Sequence, residues 1–265
     1  MSTFGEFWEF VTTASNWSGT RGITHRTYEH LRLSLWASLV AAVLAFPPAV
    51  VLGHFRRGGF FAVTIVNIGR AVPSFGIMLL AVPISIRWGY GIGFWPSFVA
   101  LVLLGIPPIF TNAYTGVRDV DRGVIEAAVG MGMTSREVLT RVEIPNASPL
   151  ILTGLRITTV QVIATATLAA IAGYQSLGSF VTEGIAAFDD GKTLTGAIAV
   201  ALLAIVAEIS FSIAEGETLD RTAIGILRSG KLGYGLHPRE LDDLLGRRAS
   251  RPIAAHALIS ADDVA

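Results

Sequence analysis

Apolar residues in this chain are gathered into long blocks separated by short polar breaks, rather than spread at a helical or strand period. A helix needs about 20 mostly apolar residues to cross the hydrocarbon core of a bilayer. The blocks at 31–53, 60–86, 94–114, 148–172 and 193–213 meet that length. The pattern therefore predicts an all-α polytopic membrane protein with five transmembrane helices. The second block is long for one crossing, and Pro73 and Pro83 interrupt it. It reads as one broken or tilted span, or as two short helices that bring the total to six. Pro47-Pro48 are expected to kink or fray the first span near its end, and Pro107-Pro108 to break the third.

The polar pieces complete the layout. Phe4, Phe7, Trp8 and Val11 fall at i, i+3, i+4, i+7 in the 1–30 segment. With Trp17 they suit a short helix in the outer membrane interface, and equally one packed on the bundle. Residues 54–59 form a basic turn, 87–93 a Gly-rich turn, and 173–192 a Gly-containing loop. Residues 31–213 make one transmembrane domain that includes the long polar segment 118–146. Residues 214–265 form a polar tail, with a short helix expected at 238–245 and poor order elsewhere.

Lys and Arg near span ends set orientation. Arg56, Arg57, Arg118, Arg122, Arg136, Arg141, Arg221, Arg228 and Lys231 lie on one side, while the opposite loops between spans hold Arg87 and Lys192. This favours an outside amino terminus and a cytoplasmic carboxyl terminus, although Arg21, Arg26 and Arg32 argue weakly against it.

Composition agrees with the blocks. Of 265 residues, 52% are hydrophobic and 15% charged, against about a quarter charged in soluble domains. Mean hydropathy is +0.59. A formal net charge of +0 implies no nucleic-acid partner, and the absence of cysteine removes disulfides and thiolate metal sites. The first twenty residues hold no Lys or Arg, so the charged start of a cleaved leader is not seen. His25, His30, His54, His237 and His256 fall in loops or tails. There is no His-Glu-x-x-His pattern, no Gly-x-Ser-x-Gly elbow and no phosphate-cradling Gly-x-x-x-x-Gly-Lys run. Intramembrane catalysis and nucleotide binding by this chain are therefore not expected.

The most informative stretch is 126–145. Ala127 and Ala128 favour helix, and Gly130 and Gly132 give a small, flexible surface. Thr134 can cap a second helix, with Glu137 as the partner of a capping box. Pro145 is expected to end that helix. Helix, Gly break, helix is a shape that another protein's surface can approach closely, with Glu126, Arg136, Glu137 and Arg141 at the rim. A structured loop with no partner has the same local features.

The spacing Glu126-Ala127-Ala128, Gly132, Val142, Ile144, Pro145 resembles the EAA loop of binding-protein-dependent ABC importer permeases. Val142 and Ile144 stand where the usual pattern has Ile and Leu. Glu29 to Ser34, Pro73-Ser74, Asn112 to Val117, Glu126 to Thr134, Gln161 to Ala170 and Gly173 to Gly178 are similar to the osmoprotectant branch, which imports glycine betaine, choline, carnitine or proline betaine. The resemblance implies a multi-pass protein of the bacterial cytoplasmic membrane. Its implied partners are ATPase subunits, an extracytoplasmic substrate-binding protein, a second permease subunit of like or related sequence, and membrane lipid. It also implies that ATP and Mg are bound by the partner ATPase, with no cofactor in this chain. Glu126, Ala127, Ala128, Gly130, Met131, Gly132, Met133, Thr134 and Arg136 are then the ATPase-coupling residues.

Translocation-path candidates are Asn67, Arg70, Pro73, Ser74, Gln161 and Thr165. Arg70 falls near the middle of the second block, where a charge needs a cavity or a partner. A structural Arg bonded to carbonyls freed by Pro73 meets the same need. The Thr residues of the fourth block line a path or hold helices together, with packing the better fit. Arg156 is expected to snorkel, and Glu208 to lie at the interface. The aromatics show no dense stripe. Two other functional readings stand beside this one: a permease for another small solute (an amino acid, a sulfonate or an ergothioneine-like betaine), and a channel or carrier that works without partners.

Overall fold

The computed structural model describes residues 3–56, 64 and 73–215. Its contacts divide the chain into two units, Met1–Ile209 and Ser210–Ala265. Within the described residues every regular element is helical. They are α1 (Thr3–Thr12), α2 (Ile23–His54), α3 (Ser74–Arg87), α4 (Phe94–Arg118), α5 (Arg122–Gly130), α6 (Ser135–Val138), α7 (Ile144–Thr165), α8 (Leu177–Ala187) and α9 (Asp190–Glu215). Of the second unit only the last residues of α9 are described. The tail, including the helix expected at 238–245, lies outside the described residues.

Four helical stretches are long and apolar enough to cross a membrane: Ile23–His54, Phe94–Arg118, Ser135–Ala170 and Asp190–Ser212. α3 is apolar but has 14 residues, about 21 Å at 1.5 Å per residue. The choice between one and two helices over 60–86 depends on 57–72, almost all of which lies outside the described residues. The chain path is clear nonetheless. α2 begins beside Tyr174 and Glu183 and ends beside Glu143. α4 begins beside Tyr174, and the bond from Arg56 to Val120 places its far end beside the end of α2. α2 and α4 therefore run parallel, and α7 runs back between the same two ends.

The core sits where α2, α4 and α7 meet. On α2, Leu33, Ala37, Ala41, Ala45 and Ala49 recur every fourth residue and are all buried. Helices in lipid gain little from hiding apolar surface and associate through close packing of small residues. Gly105 of α4 shows how close. A Cβ there would lie 2.9 Å from Ala41 Cβ and 2.9 Å from Thr158 Cγ2. Thr158 Oγ1 also donates to Gly105 O at 3.1 Å, so one small residue joins all three helices. This supports the packing reading of the fourth-block threonines at Thr158.

Several sequence expectations change. α2 starts at Ile23, upstream of the apolar block, because Arg26 and His30 are buried against other elements. Pro107-Pro108 does not break its helix, which runs on to Arg118, and α2 likewise runs through Pro47-Pro48 to His54. In hydrocarbon a broken helix exposes backbone groups that nothing can bond, so continuing with a missing bond is the better state. In α4, Asn112 Nδ2 donates to Pro108 O at 2.8 Å. Pro145 does not end a helix either. A π turn at Leu139–Glu143 links α6 to α7, and this wider turn shifts the carbonyls that the Pro145 ring would meet. Finally, 173–192 is not a plain loop, because it contains α8.

α1 meets the bundle through Phe10, whose ring packs edge-on to Phe180 at 5.9 Å. Of the face expected to be apolar, Phe4 and Trp8 are exposed while Phe7 and Val11 are half-buried.

Candidate functional site

The polar segment between α4 and α7 is built from strong local signals. Asp121 caps α5, its Oδ1 accepting from Gly123 N at 2.8 Å and Val124 N at 3.2 Å. α5 ends at Gly130, and the chain reverses through Gly132 at φ +87°, a conformation that L side chains resist. Thr134 then caps α6. Glu137 N donates to Thr134 Oγ1, and Glu137 Oε2 accepts from Thr134 N at 3.0 Å, completing the capping box. Helix, Gly break and helix therefore appear as the sequence indicates.

The surface of this segment is unusual for its own fold. Ala128 and Val138 are buried and hold the two helices down. Glu126, Ala127, Gly130, Gly132, Thr134 and Arg136 are exposed. So are Val124, Val129 and Met131, the last 73% exposed. Met133 is half-buried. A Cβ added at Gly130 would meet nothing within 4 Å. Intrachain packing therefore gives no reason for the missing side chain at Gly130, and apolar groups that normally bury lie open around it. Charges flank the patch: Arg141 pairs with Glu137 at 3.5 Å, and Glu126 and Arg136 project at the rim.

The segment is tied to the end of α2 by residues that sequence reading missed. His54 Nδ1 is 2.5 Å from Glu143 Oε2, and its Nε2 is 2.7 Å from Ser135 Oγ. Arg56 donates to Val120 O at 2.8 Å. Glu143 is 2% exposed. Nothing at the sequence level joins positions 54 and 143, apart from an acidic residue beside Pro145 and a His at the end of an apolar run.

The path candidates are placed less tightly. Asn67 and Arg70 lie outside the described residues. Pro73 precedes α3 and Ser74 opens it. Gln161 and Thr165 sit one turn apart on α7, half-buried on one face. Among the described residues no hydrogen bond or ion pair joins the α3 pair to the α7 pair. Arg156 does not snorkel alone, since it pairs with Glu208 and so links α7 to α9.

The opposite end of the bundle carries a dense polar cluster. Arg26, 1% exposed, donates to Glu183 at 2.7 Å and lies 4.3 Å over the Phe180 ring. Lys192 also meets Glu183 at 2.7 Å. Burial raises the Glu183 carboxyl, but the Lys192 and Arg26 bonds outweigh it and hold its pKa below the usual range. Tyr174 donates to Glu29 at 2.5 Å and accepts from Arg32 at 3.3 Å. Burial, then the Glu29 bond, pushes its phenol up. Beside it, an open groove of about 410 Å³ is lined by Arg32, Trp36, Phe94, Trp95 and Phe98. These rings, with exposed Trp88 and Tyr90, form the kind of aromatic belt that marks a membrane–water boundary. Among the described residues no group of three or more His, Asp or Glu side chains is placed to hold a metal ion.

Comparison with known proteins places this arrangement. Residues 34–216 match the family described as binding-protein-dependent transport system inner membrane component, and 211–265 match the SAF domain. The choline transport system permease protein OpuBB of Bacillus subtilis is 35% identical over 73% of this chain and 87% of its own length. The carnitine transport permease protein OpuCB of Listeria monocytogenes is 35% identical over 82% of this chain and 88% of its own. The osmoprotectant import permease protein OsmY of Salmonella typhimurium is 36% identical over 67% of this chain and 74% of its own. Among solved structures, an inward-facing form of the MetNI methionine ABC transporter superposes with a TM-score of 0.66 at 20% identity, covering 73% of this chain and 94% of that one. At that identity the likeness concerns the fold.

Proposed function

This chain belongs to the family of binding-protein-dependent transport system inner membrane components, and from that premise we propose that it imports a quaternary-ammonium osmoprotectant such as choline, carnitine or glycine betaine. The observation that carries the substrate class is the set of relatives. Permeases named for choline, carnitine and osmoprotectants match across most of their own lengths at 35–36% identity. The chain is the transmembrane subunit of an ATP-driven importer. ATP and Mg belong to a separate ATPase, and an extracytoplasmic binding protein delivers the solute. A second permease subunit, a copy or a relative of this one, completes the path.

The segment 122–138 is the part that meets the ATPase on the cytoplasmic side. Its open glycine and exposed Val124, Val129 and Met131 support that reading, because a partner surface can settle against the backbone there. ATP binding then moves this segment, and the bundle passes between inward- and outward-open states whose energies differ with the partners bound. Pro73, Ser74, Gln161 and Thr165, with Asn67 and Arg70, remain the path residues of this reading. The amino terminus lies outside and the carboxyl terminus in the cytoplasm, which the Lys and Arg distribution supports.

The test is uptake of labelled choline, carnitine and glycine betaine by cells lacking their own osmoprotectant importers, supplied with this chain and its partners. ATP-dependent accumulation of at least one solute is expected. Accumulation of none, with uptake of an amino acid or a sulfonate instead, would overturn the substrate class. Transport that persists without the ATPase would overturn the importer itself.

A further inference from the structure

Resting on the reading of 122–138 as the ATPase-docking segment, we propose that His54 is a positioning residue for coupling: it is the joint that carries motion of that segment into α2. The segment is attached to the rest of the chain by its covalent ends and by few side-chain bonds. His54 makes one of them, to Ser135, and also holds Glu143 eight residues on, just beyond the segment. Its Nε2 meets Ser135 at the first turn of α6, and its Nδ1 meets Glu143 at the end of the π turn. α6, the π turn and α7 run on as one helical stretch, Ser135–Ala170, and one imidazole bridges two points at its start. The neighbouring bond from Arg56 to Val120 fixes the entry to α5. All three contacts come from the last turn of α2 and the residues just beyond it.

The chemistry fits a joint rather than a filler. Glu143 is buried with its carboxylate against His54, and a buried carboxylate without a partner is costly. The pair is therefore kept as the segment moves, and movement is passed on instead of lost. α2 is well placed to receive it. His54 follows Gly53, where an added Cβ would lie 2.9 Å from Tyr114 O of α4, and the Ala37 to Ala49 stripe locks α2 against the core. A displacement at His54 therefore has no slack before it reaches the α2–α4–α7 contact. The π turn lies on the other side of the joint, and π turns inside helices are found frequently at functional sites.

The two imidazole nitrogens can be tested separately. Asn places an amide near the Nδ1 position and can keep the Glu143 bond, whereas Gln places one near Nε2 and can keep the Ser135 bond. The complete transporter, with its ATPase and binding protein, is reconstituted in proteoliposomes. ATP hydrolysis is measured together with uptake of labelled choline, carnitine and glycine betaine in parallel. His54→Ala and His54→Gln are expected to lower solute moved per ATP by tenfold or more, with ATPase binding within twofold of wild type. His54→Asn is expected to keep at least half the wild-type ratio. Glu143→Ala combined with His54→Ala is expected to do no more than either alone.

If His54→Ala does not assemble, the comparison of Asn with Gln decides. Wild-type ratios in both His54→Gln and His54→Ala, while Gly130→Leu abolishes transport, would overturn the joint and leave the docking reading standing. Wild-type transport in Gly130→Leu as well would remove the docking reading on which the joint rests. A general loss of protein stability with an unchanged ratio would assign His54 a structural part only and would also overturn the proposal.

Discussion

Gly130 separates what the chain needs for itself from what it offers a partner. An added side chain there meets nothing of this protein within 4 Å. Gly130 is the last residue of α5 and lies outside the positive-φ positions, so Leu can take its backbone conformation. Replacing Gly by Leu in a helix gains up to about 1 kcal/mol of propensity, less at a helix end. Gly130→Leu is therefore expected to leave thermal unfolding of the detergent-solubilised chain unchanged within about 1 kcal/mol. Binding should respond oppositely. A side chain of four carbons placed where two surfaces touch must be accommodated by separation or strain, which costs about 2 kcal/mol in a close-packed contact. That corresponds to a loss of about 30-fold in affinity for the ATPase subunit. Permease in nanodiscs titrated with purified ATPase reads this directly. An unchanged Kd would show that nothing approaches Gly130, and the reasoning from its open surface would fail.

Thr134→Ala removes the capping box, and faster amide hydrogen exchange over 134–138 is expected, corresponding to about 1 kcal/mol of local stability. Gly105→Val overfills the contact with Ala41 and Thr158 and is expected to destabilise the chain by about 2 kcal/mol, seen as a lower unfolding midpoint; an unchanged midpoint would mean that the three helices are not in close contact. Glu183 has a folded pKa below its unfolded value, so its contribution is fully present above about pH 4.5 and is lost as pH falls through the folded value. Thermal unfolding followed from pH 6 to pH 3 should show this decline, and Glu183→Gln should flatten that part of the curve.

Much of this was legible because membrane spans are written in length and hydrophobicity, which do not depend on neighbours. The capping box at Thr134 and the break at Gly132 were equally local. What escaped was set by contacts between distant positions. α8 was hidden because its apolar run is short and contains Gly178 and Gly184, which ordinarily argue against helix. In the fold a Cβ at Gly178 would lie 2.0 Å from Thr167 O, so that glycine serves close packing. Its capping box uses Ser176 and Ser179 in place of the usual Glu or Gln. Pro107 and Pro145 misled because rules for breaking helices assume that water can satisfy the freed carbonyls. The pairs Arg156–Glu208 and His54–Glu143 join residues far apart in sequence, and no periodicity marks them. The path candidates Asn67 and Arg70 fall outside the described residues.

The chain has no cysteine, so Met131→Cys creates one reactive thiol at an exposed point of the docking segment. In assembled transporter this thiol is expected to crosslink to the ATPase subunit. In the chain expressed alone it should react with a membrane-impermeant maleimide only when the cytoplasmic face is opened. Labelling from the outside of intact cells, or no crosslink to the ATPase in a transporter that still hydrolyses ATP and imports solute, would contradict the account.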